Sequence, residues 1–82
     1  MKAHVYVTLK RSVLDAQGQT VADALRRMNY KGVGEVRQGK YFLLTLDGVF
    51  ATEDEARAEV ERIAVEVLVN PVIEEYSLDL EP

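Results

Sequence analysis

Histidine is the side chain best suited to acid–base or metal chemistry near neutral pH, and this sequence has one, His4. No second ligand or base stands near it in sequence. Its neighbours alternate in the manner of a strand, which places it at a surface or interface. Cysteine is absent, which excludes a disulfide, a Cys-based zinc site and a thiol nucleophile. Ser12 and Thr52 carry hydroxyls, but neither lies in a Gly-x-Ser-x-Gly turn, and Thr52 is better used as a helix cap. Phosphate cradles need glycine amides at a helix start. Gly32-Val33-Gly34 leads into a strand instead, and Gly18, near a helix start, lacks the Gly-Lys-Ser/Thr ending. Glu74 and Glu75 are adjacent, so a strand sends them to opposite faces and they cannot work as a carboxylate pair. No catalytic residue, metal site or cofactor site is expected in this chain. Arg11 follows the first apolar run, and Arg37 and Lys40 flank Gly39. These cations are read either as solubilising or intersubunit charges or as ligand or partner contacts, and both readings stand.

The elements that would position these residues follow from periodicity. Ala3, Val5, Val7 and Leu9 alternate with His4, Tyr6, Thr8 and Lys10, predicting a strand over 3–10. Asp15 or Thr20 can cap a following helix, whose apolar stripe is Val21, Ala24, Leu25 and Met28, ending near Asn29 to Gly32. Val33 and Val36 predict a second strand that turns at Gly39 into a third, Tyr41 to Leu46, apolar on both faces. Thr52 with Glu55 forms a capping box for a second helix that buries Ala56, Val60, Ile63, Ala64 and Val67. Asn70-Pro71 stops it, and Val72, Glu74, Tyr76, Leu78 and Leu80 alternate through a last strand. The expected fold is α+β: one domain over 1–82, two layers in β-α-β-β-α-β order, with a four-stranded antiparallel sheet of ferredoxin-like or related type.

Eighty-two residues bury only roughly 60–65% of their unfolded surface, so further stability has to come from elsewhere, by association or by a deeper monomer core. The expected sheet has one face without helices and more apolar residues than one face can use. A homodimer that packs sheet to sheet or exchanges a strand would cover them, with His4, Tyr6, Phe42, Leu44 and Tyr76 in its interface and a dimer of dimers as a further possibility. Net charge is −4, which disfavours nucleic acid, and no basic surface surrounds Tyr6 and Tyr41 as an RNA-binding module would need. Eight Lys/Arg face three Asp/Glu up to Leu46, and two face eleven after it. That asymmetry can orient encounter with a partner. The sequence shows no membrane span and no signal-peptide pattern, so a cytoplasmic protein is expected.

Several of these pieces together resemble a known family. Val5-Tyr6-Val7 with Leu9-Lys10, Ser12-Val13-Leu14-Asp15 with Gln17-Gly18, Val21, Ala24-Leu25, Val36-Arg37 with Gly39-Lys40, and Val72-Ile73-Glu74-Glu75-Tyr76 are similar to PurS, the small subunit of phosphoribosylformylglycinamidine synthase. The resemblance runs nearly end to end. Ala16 departs from it, since the family usually has proline there. Alanine gives up some rigidity at a first helical position without removing a functional group. The resemblance implies a non-catalytic subunit of a purine-pathway ligase complex. There it docks a glutaminase subunit of PurQ type on a synthetase subunit of PurL type and supports ammonia transfer. ATP and Mg would be used by the large subunit. The matching motif positions lie in loops and suggest two contact surfaces, Ser12, Asp15, Gln17 and Gly18 in one and Arg37, Gly39 and Lys40 in the other, with Arg11 a further partner-binding candidate. Against this, Asp15 can be only a helix cap and Gly39 only a turn. A competing class is a small-molecule-binding regulatory homodimer of the same topology, with effectors held near Arg11 and Ser12. An acylphosphatase-like enzyme is set aside, because the only asparagines, Asn29 and Asn70, fall at helix ends.

Overall fold

A computed structural model describes residues Met1–Pro82. The elements are β1 (Lys2–Leu9), α1 (Ala16–Arg27), β2 (Gly39–Thr45), α2 (Glu53–Ile63), whose last turn widens into a π-turn over Ala64–Leu68, and β3 (Glu74–Glu81). The strands form one antiparallel sheet in the order β2-β1-β3. The central strand is therefore the first in sequence; α1 connects it to its antiparallel neighbour β2, and α2 crosses over from β2 to the opposite edge strand β3.

The sheet has three strands rather than the four expected. Residues 33–38 are not a strand, and no hairpin turns at Gly39, which instead opens β2 opposite Thr8. The physical reason lies in Gly32, Gly34 and Glu35. They leave Val33 and Val36 three residues apart, a spacing that cannot put both on one face of a strand, and glycine weakens strand interiors. The ferredoxin-like order thus lacks one edge strand.

Alternation along the sheet is as the pattern predicts. In register, Ala3 lies between Leu44 and Leu80, Val5 between Phe42 and Leu78, and Val7 between Lys40 and Tyr76. This is the face that α2 covers. Ala3, Val5 and Val7 are fully buried with Val60 and Ala64, and Val69 closes the same cluster. Phe42, Leu44, Leu46, Tyr76, Leu78 and Leu80 flank it, only half-buried. Thr52 caps α2, its Oγ1 accepting from the Glu55 amide at 3.1 Å, while the Glu55 carboxylate accepts from the Ala51 amide at 3.1 Å. The reciprocal bond thus reaches one residue ahead of the cap.

α1 departs from expectation more sharply. Its stripe is not a core face: Val21 and Met28 are exposed, at 40% and 65%, and only Gly18 and Ala22 are buried. Val67 of the predicted α2 face is exposed as well. The helix lies off the sheet as an arm, which gives the molecule extents of 52 × 26 × 15 Å. The radius of gyration is 16.2 Å, against about 12 Å for a compact domain of this length. The accessible surface is 5918 Å², roughly 1,000 Å² more than a compact monomer of this mass shows.

Candidate partner-docking site

The loop residues that the sequence singles out converge where β1 ends, α1 begins and β2 and β3 meet β1. Asp15 is the centre of this corner. One carboxylate oxygen accepts from the Gly18 amide at 2.9 Å, capping α1, and the other accepts from the Gln38 amide at 2.6 Å. These two bonds, with the Arg37 guanidinium nearby, hold the Asp15 carboxyl below its ordinary value of 3.8. Asp15 is therefore a cap and also a clamp between the arm and the start of β2. Gly18 is needed for that closeness, because a Cβ there would run into the Val36 carbonyl oxygen and the Asp15 carboxylate. Gly39 answers a similar demand, since a Cβ there would meet the Val7 carbonyl. It serves close strand approach rather than a turn.

Arg37 is turned inward. Its guanidinium donates to the Leu9 and Lys10 carbonyls at 3.1 and 3.2 Å, so its first role is to fix the corner. Lys40 pairs with Glu74 at 3.1 Å, the lysine half-exposed and the glutamate side chain only 11% exposed. The Asn70 amide, donating at 2.8 Å, and Lys40 hold the Glu74 carboxyl below its ordinary value of 4.5. Gln38 donates to Gln17 across the corner at 2.8 Å. A concave pocket of about 250 Å³ opens among Gln17, Gln38, Gly39, Lys40 and Glu74. Arg11 stands outside it, exposed and facing Glu35 at 3.4 Å, and Ser12 is exposed. The corner thus gathers Asp15, Gln17, Gly18, Arg37, Gly39 and Lys40 into one surface, not two. Gln38 and Glu74 complete it, though the sequence pattern marks neither as a site residue. The spacing from Asn70 to Glu74, with the asparagine beside a proline, is the one local signal that Glu74 ties down the chain reversal.

The five expected interface residues do not share a face. His4 and Tyr6 lie on the side of the sheet without helices, whereas Phe42, Leu44 and Tyr76 lie on the α2 side and are half-buried. Strand parity causes the split, since residues an odd number of paired positions apart point oppositely. On the helix-free side the Tyr6 and Tyr41 rings lie near-parallel with centroids 5.4 Å apart, and the His4 ring meets the Tyr41 hydroxyl edge-on, its centroid 5.8 Å from that of Tyr41. His4 is fixed at both ring nitrogens, Nδ1 to the Tyr41 hydroxyl at 2.6 Å and Nε2 to Glu81 at 3.2 Å. No serine or threonine hydroxyl is within its hydrogen-bonding reach.

The family model for PurS, phosphoribosylformylglycinamidine (FGAM) synthase, matches residues 2–82. The chain belongs to the PurS family. The PurS subunit of FGAM synthase from Mycobacterium leprae is 41% identical over 80 residues, covering 98% of this chain and 95% of the relative. The structure of Bacillus subtilis PurS superposes with a TM-score of 0.82 at 42% identity, covering 99% of this chain and 98% of that one. A chain in the structure of PurLQS from Thermotoga maritima matches with a TM-score of 0.84 at 31% identity, covering 95% and 93%. This PurS chain is thus a subunit type of a purine-biosynthesis ligase. No helix in it is long and apolar enough to cross a membrane.

Proposed function

We propose that this chain is the coupling subunit of an FGAM synthase, docking a PurQ-type glutaminase on a PurL-type synthetase as a homodimer. One observation carries the reading: α1 is an arm with an uncovered apolar stripe, while the sheet beside α2 keeps Phe42, Leu44 and Tyr76 only half-buried. In a symmetric pair, each arm can lie on the other chain's sheet beside α2. That would bury the roughly 1,000 Å² by which this chain exceeds a compact monomer. Arm exchange is a further arrangement beside the strand exchange or sheet-to-sheet packing expected from the sequence. A dimer of dimers is compatible with it.

The corner then serves as the partner surface, with Arg11, Ser12, Gln17 and Lys40 presenting side chains outward while Asp15, Gly18, Arg37 and Gly39 hold the shape. In the proposed complex, ATP and Mg are used by the synthetase subunit, and the cytoplasm is the compartment that a purine-pathway ligase implies. Coupling has a physical basis. Ammonia freed into water is protonated and dispersed, whereas a closed assembly keeps it neutral and near its acceptor. The test is to co-purify this chain with matching glutaminase and synthetase and to assay glutamine-dependent and ammonia-dependent amide transfer. Loss of only the glutamine-dependent rate on omission supports coupling. No change in either rate, with no complex formed, overturns it.

A further inference from the structure

The helix-free face of the sheet carries a second kind of surface, distinct from the corner. Its centre is the near-parallel pair Tyr6 and Tyr41, 42% and 52% exposed, with His4 bonded edge-on to the Tyr41 hydroxyl. Along one margin, β3 alternation turns Glu75, Ser77, Asp79 and Glu81 to this side, where they pair in register with Thr8, Tyr6, His4 and Lys2. The other margin is neutral, with Tyr41, Leu43 and Thr45 of β2. Lys2 is the single cation of the face. The surface therefore offers half-exposed tyrosine rings, each with one outer face, beside a row of carboxylates.

We infer that this face docks an arginine-bearing surface of a protein partner, with guanidinium planes lying on Tyr41 and Tyr6 and donating to Asp79 and Glu81. Guanidinium combines the two properties the face rewards, a flat cation that stacks on π-faces and a fork of N–H donors that fits carboxylates. The spacing fits too. Asp79 and Glu81 are two residues apart on a strand, about 7 Å, which matches alternate side chains of an extended segment. Glu81 is already anchored beside the stack by His4 at 3.2 Å, so part of the ordering is done before binding. Other occupants fit worse. Phosphates would meet the acidic row, and an apolar partner would strip water from Asp79 and Glu81 without pairing them. A second copy laid sheet to sheet would oppose three carboxylates and one lysine to the same set. The proposal relies on the docking role only for the existence of a partner, because the recognising chemistry belongs to the free chain.

The experiment titrates isotope-labelled chain with acetylated, amidated Arg-Gly-Arg, using Lys-Gly-Lys as the comparison, and follows backbone and ring resonances. Saturable shifts confined to His4, Tyr6, Tyr41, Asp79 and Glu81 are expected. The lysine peptide should bind about threefold more weakly, and Tyr41→Leu should weaken the arginine peptide by a similar factor. Asp79→Asn with Glu81→Gln should weaken it by about tenfold, the scale of two exposed charge pairs. This double variant leaves the core face intact, so it tests the face even where Tyr41→Leu perturbs the sheet. Equal response to both peptides, shifts only along the acidic face of α2, or no saturable shift overturns the inference. So does a change in oligomeric mass in the double variant, which would show that a second copy covers the face. Because the titration contains neither glutaminase nor synthetase, its failure is separable from failure of the coupling role.

Discussion

Val60→Ala tests whether α2 alone closes the core of this thin molecule. Val60 is fully buried against Ala3, Val5 and Val7. Truncation removes two methyl-sized groups, about 1.6 kcal/mol of transfer free energy at ~0.8 per group. A residual void of about 40 Å³ adds roughly 1 kcal/mol at ~24 cal/mol per Å³. The expected loss is therefore about 2.5 kcal/mol. An unfolding entropy of about 2.1 cal/mol/K per residue, over a chain of 82 residues, converts this to a fall of about 15 °C in Tm. Val65→Ala is the matched control, since Val65 is half-exposed on the same helical segment. Its expected change is within about 0.5 kcal/mol, or ~3 °C. The assay is thermal unfolding by circular dichroism at two protein concentrations. Association shifts Tm with concentration, but the gap between the two variants should persist at both. A gap of less than about 5 °C would mean that the core is closed by something other than α2, and the reasoning from burial to stability would fail.

Four other predictions test the corner and the caps. Asp15 and Glu74 both have carboxyls held below their ordinary values, so the stability they contribute is complete above those values of 3.8 and 4.5 and is lost as pH falls through the lower folded values. Tm should hold from neutrality to about pH 5 and drop below about pH 4, and Asp15→Asn with Glu74→Gln should flatten that acid limb in a pH series of melts. Arg37→Glu should destabilise the free chain in urea unfolding, because it removes the guanidinium that ties the Leu9 and Lys10 carbonyls together, leaving Lys10 only the Val13 amide. Lys40→Gln, altering a pair open to solvent on one side, should change stability by at most about 1 kcal/mol while weakening assembly in a pull-down. Thr52→Ala should cost about 1 kcal/mol, or ~6 °C in Tm, by removing the cap of α2.

The contrast between α2 and α1 explains what was legible in the sequence. Thr52, Glu55 and the spacing of Ala56, Val60 and Ala64 gave the right helix and the right buried face because α2 meets its sheet within one chain. Val21, Leu25 and Met28 show the same period, yet periodicity states only that a face will be covered, not by which molecule. The four-strand expectation failed at Val33 and Val36, where two apolar residues among glycines imitate a strand that has no ladder. At the corner, Asp15 was legible as a helix cap and Lys40 as a cation beside a glycine, whereas Gln17 and Gly18 were marked as contacts only through the family motif and Gly39 was read as a turn. Gln38 and Glu74 were not, because their roles depend on contacts with Asp15, Gln17 and Lys40 across long stretches of chain. The inward turn of Arg37 was hidden for the same reason, since its acceptors are backbone carbonyls that any residue supplies.

The widened turn at the end of α2 bears on how this chain can change length. Buried positions along the helix run Ala56, Val60, Ala64 and then Val69, intervals of four, four and five, and the Val69 amide reaches back to the Ala64 carbonyl at 2.9 Å. The fifth residue is spare in the sense that an ordinary α-turn needs one fewer. A one-residue deletion between Val65 and Leu68 can be absorbed by closing the wide turn into a normal one, leaving Val69 in the core. The parity of β3 would then be kept, and with it the division of Tyr76 and Leu78 from Glu75 and Asp79. The same deletion taken up between Asn70 and Ile73 would threaten a one-residue slip that turns the apolar row outward and the acidic row into the core. Length variation among related chains should therefore collect in the wide turn and spare the segment that follows it.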